Sequence, residues 1–198
     1  MKKQLLALLL VLFAVVVTAE AQEYKKWKVG LGLGYAAPAD GGGGVAVYLE
    51  PAYRVNDQIA VGLRLESAAL AKVVGDEEAS ISGNASYTVN GQYYLSDSKF
   101  RPFVGAGIGI FSLASISVST TGTSGDISAG GDTKFGFYPR VGFDLGHFNF
   151  IFDYNLVGNS ELPGVTVDNN GNTTTSNVDV KNSYFAVKLG FSIGGGNN

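Results

Sequence analysis

From Trp27 to Ala36 the sequence alternates without interruption. Trp27, Val29, Leu31, Leu33 and Tyr35 are apolar, and Lys28, Gly30, Gly32, Gly34 and Ala36 are polar or small. A helix turns its faces every 3.6 residues and cannot keep a period of two over ten positions; a β-strand does so by construction. The same signature recurs along the chain. Val45, Val47, Leu49, Tyr53 and Val55 share one face of a second segment (45–55), and Ile59, Val61, Leu63 and Leu65 one face of a third (58–69). The fourth (81–95) sets Ile81, Ala85, Tyr87, Val89, Tyr93 and Leu95 against Ser82, Asn84, Ser86, Thr88, Asn90 and Gln92. The fifth (102–118), sixth (133–145), seventh (148–157) and eighth (183–193) follow suit. The sequence therefore predicts eight antiparallel strands.

Connections alternate in length. Asn56-Asp57, Ser96–Lys99 and Gly146-His147 are short, whereas Pro38–Gly44, Lys72–Ser80, Ser119–Asp132 and Gly158–Asn182 are long and rich in Gly, Ser and Asn. Short turns at one end and long loops at the other, with an even strand count, describe an up-and-down barrel whose termini share the short-turn end.

The two faces differ in a way that decides what surrounds the barrel. The apolar face carries many aromatic rings, too much volume for an eight-strand interior. The other face is full of glycine, alanine and serine, as a narrow filled interior needs. Glycine on a solvent-facing strand would only weaken it. The predicted fold is therefore an all-β, eight-stranded antiparallel transmembrane barrel with its apolar face toward lipid. Trp27, Tyr53, Tyr93, Phe148 and Phe191 fall near the short-turn ends, and Tyr35, Phe135, Phe137 and Phe185 near the long-loop ends. Two aromatic belts of this kind mark the two bilayer interfaces.

The amino terminus agrees with export. Lys2 and Lys3 precede an apolar run from Leu5 to Val17, and Ala19-Glu20-Ala21 supplies a small-x-small cleavage pattern. That run falls short of the roughly 20 apolar residues a spanning helix needs. Residues 1–21 are expected to be a signal peptide and residues 22–198 the barrel domain. Their removal leaves a mildly acidic chain with no basic patch, which gives no reason to invoke nucleic acid. Cysteine is absent, excluding disulfides and thiolate chemistry.

Keeping apolar residues opposite one another fixes register. If Val55 faces Ile59, Glu50 lies opposite Arg64; if Leu145 faces Phe148, Arg140 lies opposite Asp153. Unpaired buried charge is costly, so opposed signs are expected to fill the lumen and close it. Gly146 suits the positive φ of a two-residue type II′ turn. Pro51 and Pro139 interrupt strands, and each is expected to produce a bulge or bend.

No catalytic or cofactor site is legible. His147 is the sole histidine and sits in a short turn, while Ser160 and Glu161 belong to a loop at the opposite end, beyond reach of a triad. Asp76-Glu77-Glu78 and the Asp168–Asn172 stretch read as solvated loops rather than calcium sites.

Leu49-Glu50-Pro51-Ala52-Tyr53-Arg54 and Arg101–Gly107, with the eight strands and the signal, resemble the small eight-stranded outer-membrane barrels. That group includes OmpX-like, OmpW-like and OmpA-barrel-like proteins and the porin-family barrel-domain proteins of Bacteroidota. The resemblance implies the outer membrane of a Gram-negative envelope, contact with lipid and lipopolysaccharide, assembly by the barrel-insertion machinery, and a monomer without cofactors. It implies a non-enzymatic role in envelope integrity or surface contact. The alternatives are transport of small hydrophobic molecules and lipid modification.

Overall fold

The computed structural model describes residues 25–39, 41–74, 78–121, 124–167 and 173–195. The expected signal peptide, residues 1–21, lies outside them. Among the described residues ten strands form: β1 (Trp27–Pro38), β2 (Gly43–Arg54), β3 (Ile59–Val74), β4 (Glu78–Tyr94), β5 (Phe100–Thr121), β6 (Ser124–Leu145), β7 (Phe148–Val157), β8 (Ser160–Val167), β9 (Thr173–Val180) and β10 (Tyr184–Gly194). Eight of them close a barrel in the order β1-β10-β7-β6-β5-β4-β3-β2, every pairing antiparallel. The remaining two, β8 and β9, form a separate hairpin between β7 and β10.

The long connections differ from the sequence reading. Much of Lys72–Ser80 and Ser119–Asp132 is strand, because β3 pairs with β4 out to Val74↔Glu78 and β5 with β6 out to Thr121↔Ser124. Neighbouring strands stop earlier: β2 reaches only Ala71 on β3, and β7 only Gly136 on β6. Strands β3 to β6 therefore rise past the barrel rim as a four-stranded sheet. Along residues 124–135 of β6 no described strand covers the outer edge. The segment expected as a loop at Gly158–Asn182 holds the β8–β9 hairpin. At its base the Ser160 hydroxyl donates to Asp132 Oδ2 (2.8 Å), and Asn182 Nδ2 donates to Ser160 Oγ (2.8 Å).

Alternation decides the sides. One mid-strand residue from each barrel strand (Leu31, Val47, Leu63, Val89, Ile108, Val141, Phe152 and Leu189) is exposed on the outside. Together with their neighbours they make an unbroken apolar band, far larger than the patches water-soluble monomers expose. The inward positions are buried and largely polar. Among the described residues no helix is long and apolar enough to cross a membrane.

The turn glycine behaves as its position demands. Gly146 has φ of +60°, and Leu145 pairs with Phe148 across the two-residue turn. At the prolines the ladder opens without a bulge. Pairing between β2 and β3 lapses at Glu50 and Pro51, and between β6 and β7 at Tyr138 and Pro139. Register is unchanged on either side of each lapse, so no residue is inserted and no bulge forms. Each proline keeps its pairing on one flank, with Val29 and with Ala106 respectively. The lapse falls on the flank that loses the missing N–H as a donor.

Close packing fixes one interior glycine. Gly107 pairs with Tyr138, whose ring lies across it and would overlap any β-carbon placed there. Gly107→Ala is expected to cost about 1–3 kcal/mol by overpacking. Urea unfolding of the refolded barrel measures that loss, and an unchanged midpoint would contradict it.

Candidate functional site

The interior of the barrel is the candidate site, and parity puts its residues there. Alternation along each strand sends every second side chain inward, delivering six buried cations (Lys28, Arg54, Arg64, Arg101, Arg140, Lys188) and four buried anions (Glu50, Glu66, Asp144, Asp153) among the described residues. They sort into tiers along the axis.

Nearest the short-turn end, Lys28 Nζ pairs with Asp144 Oδ2 at 2.5 Å, and the Tyr94 hydroxyl donates to the same oxygen at 3.0 Å. The Arg54 and Arg101 guanidinium groups lie 4.7 and 4.1 Å from the centre of the Tyr94 ring. Both are within the range where a cation is attracted to an aromatic face. Above this, Arg140 Nη1 donates to both Glu50 oxygens, at 2.9 and 2.8 Å, and Gln92 Nε2 donates to Glu50 Oε1 at 2.6 Å.

The next tier is the densest. Asp153 Oδ2 receives Arg64 Nη1 at 3.1 Å and Lys188 Nζ at 2.6 Å. Lys188 also pairs with Glu66, which accepts the Tyr184 hydroxyl at 2.7 Å. Arg64 Nη2 donates to Asn155 Oδ1 at 2.7 Å, and its guanidinium stacks 3.6 Å from the Tyr138 ring centre. Toward the long-loop end Ala36, Ala46, Ala68, Leu70, Phe111, Val157 and Ala186 form a buried apolar cluster.

The register sets Arg140 beside Asp153 and leaves Glu50 level with Arg64, yet these neighbours do not form the ion pairs. Partners are exchanged across the lumen: Glu50 binds Arg140, and Arg64 binds Asp153. The expectation of two neighbouring pairs is corrected accordingly. In so narrow a barrel a long arginine reaches the opposite wall as easily as the next strand. Sequence reasoning left Lys28, Glu66, Asp144 and Lys188 out of the network, although their parity marked them as inward.

The exterior aromatics cluster at the strand ends. Trp27 packs edge-on against Tyr53 (5.2 Å between centroids), and Phe148 against Phe191 (5.8 Å). Tyr93 and Tyr35 are exposed, and Phe185 packs against Phe152 at 4.1 Å. His147 stacks on Phe191, and its Nδ1 lies 2.9 Å from the Ser192 carbonyl oxygen. Ser160 stands at the opposite end of the barrel. Beyond the band, hydrogen bonds from the Lys134 ammonium and the Ser160 hydroxyl hold the Asp132 carboxyl below its usual range. Among the described residues no cluster of side chains suited to a metal occurs. The side chains of Asp76-Glu77-Glu78 and the Asp168–Asn172 stretch lie outside the described residues.

A closed eight-strand barrel with an apolar outside and a charged inside is a membrane design. The sequence matches the outer membrane protein beta-barrel domain over residues 5–192. The chain belongs to the outer-membrane β-barrel domain family. This family barrel sits in the outer membrane, its apolar band spanning the bilayer. No curated protein matches it in sequence.

Solved structures share the fold at low identity. Ail, the attachment invasion locus protein of Yersinia pestis, in complex with the heparin analogue sucrose octasulfate, superposes with a TM-score of 0.54 at 11% identity, covering 85% of this chain and 99% of Ail. A major outer membrane protein from Thermus thermophilus gives 0.53 at 12%, covering 84% and 99%. The outer membrane protein OprG from Pseudomonas aeruginosa gives 0.51 at 14%, covering 89% and 99%.

Proposed function

We propose that this is a non-enzymatic outer-membrane barrel, closed to solutes by its own side chains, which acts through its outer surfaces. The observation that carries this reading is the density of charged and polar side chains buried inside the barrel. Three tiers of ion pairs and an apolar cluster leave cavities of about 10 and 30 Å³, room for little more than single waters.

Two surfaces remain for function. The apolar band meets membrane lipid and, in the outer leaflet, lipopolysaccharide, with Trp27, Tyr53, Tyr93, Phe148 and Phe191 seating one interface and Tyr35 and Phe185 the other. The raised β3–β6 sheet and the β8–β9 hairpin extend beyond the band, where they contact other surfaces or stabilise the envelope. The attachment role in Ail's name is a precedent at the level of fold for a barrel of this size working from outside. Closure leaves no sheet edge within the band, which favours a monomer delivered by the barrel-insertion machinery.

Reconstitution into planar bilayers tests the closed lumen. The refolded protein is expected to give a silent baseline at moderate voltages. Stable conductance steps would overturn the reading in favour of transport. Lipid A recovered unchanged from overexpressing cells is the matching expectation against lipid modification.

A further inference from the structure

β4 turns an uncharged polar file into the lumen: Ser82, Asn84, Ser86, Thr88, Asn90 and Gln92. Thr88 and Gln92 have protein partners, the Tyr138 hydroxyl at 3.2 Å and Glu50 at 2.6 Å. Asn84, Ser86 and Asn90 do not. Both polar atoms of each asparagine amide and the Ser86 hydroxyl lack a hydrogen-bond partner among the described residues. Yet these three residues are only 3, 1 and 2% exposed.

Native interiors rarely leave buried polar atoms bare, and five on the same strand face call for a common ligand. That ligand must both donate and accept, since amide nitrogens and oxygens are orphaned together. It must also be small, because Asn90 is flanked in register by Gly62 and Gly107, and the Tyr138 ring already fills the space over Gly107. A small ion does not fit the chemistry: the file carries no charge, and the nearby Glu50 and Arg140 already form an ion pair with each other.

We propose that β4 binds water in two separate groups, an outer one on Asn84 and Ser86 and an inner one on Asn90. The Thr88–Tyr138 hydroxyl contact, with Arg64 stacked on the tyrosine, stands between them. The outer group adjoins the 30 Å³ cavity beside Asn84, beneath Asn182 and Ser183 at the external rim. The inner group lies one inward step from Gln92, which borders the 10 Å³ cavity facing the short-turn end. Water thus enters each half of the barrel from its own side without a through path for ions.

Water-to-amide cross-relaxation in the isotope-labelled, refolded full chain in nanodiscs tests this. Asn84→Leu and Asn90→Leu each assign one side-chain amide by its disappearance. In the unsubstituted protein both amides are expected to show contacts with long-lived water. Asn90→Leu should abolish the inner signal and leave the Asn84 signal intact, because the groups are separate. Side-chain amides with no water contact in the unsubstituted protein would overturn the proposal. Loss of the outer signal in Asn90→Leu would overturn the separation into two groups.

Discussion

Replacing Asp153 with alanine is expected to destabilise the barrel by about 3–5 kcal/mol, the range for removing one partner of a buried ion pair. Asp153 neutralises Arg64 and Lys188 at once and accepts a hydrogen bond from Asn155 Nδ2 at 2.8 Å. Its loss leaves two fully buried cations sharing Glu66. The cost comes from the charge left behind more than from the bond removed: a well-packed apolar replacement of the whole network could be neutral, whereas a half-network is not. Urea unfolding in liposomes, followed by the fluorescence of Trp27, the single tryptophan, provides the measurement. A midpoint unchanged from the parent protein would mean that the tier carries no structural weight.

Leu49→Lys is expected to cost about 2–4 kcal/mol in the same assay, the penalty for a basic side chain near the bilayer midplane of a lipid-facing strand. Leu49 lies halfway along β2, outward and paired with Leu31 and Leu65. Were the barrel's outside bathed in water, the same substitution would change stability by little, since exposed positions away from special features rarely matter. The prediction therefore reads the environment of the band rather than the packing within it. Lys at an outward position near a strand end should cost less, because the ammonium can reach the interface.

The number of barrel strands, their facing and their register were legible in the sequence because each rests on a neighbour relation within the sheet. Alternation assigned Arg64, Arg140 and Asp153 to the inside, and pairing apolar with apolar fixed the β2–β3 and β6–β7 registers. What was not legible depends on relations across space. Which cation binds which anion is set by how closure brings β2 against β6 and β3 against β7 over the lumen, and no local pattern encodes that. Above the membrane the period-two signal fades, since neither face meets lipid. The serine- and glycine-rich stretches around residues 119–132 therefore read as loop although they form ladders. At prolines 51 and 139 the bulge alternative fails for a different reason: losing one donor opens a ladder locally, while the flanking apolar pairs hold the register.

The seam between β1 and β10 has a kinetic meaning. Every other barrel pairing joins strands adjacent in the chain or, for β7 and β10, strands separated by one hairpin. β1 and β10 pair from Lys28↔Gly194 to Pro38↔Tyr184, joining opposite ends of the domain. In contact-order terms this junction spans the largest sequence separation in the barrel, so closing it costs more loop-closure entropy than any other single pairing. It is also the place where Gly32 meets Gly190, and where Tyr48 lies across the pair only after both strands are in position. Zipping can run from hairpin to hairpin, but the last step must wait for two termini to meet, and an open sheet with β1 and β10 unpaired is the intermediate most exposed to aggregation.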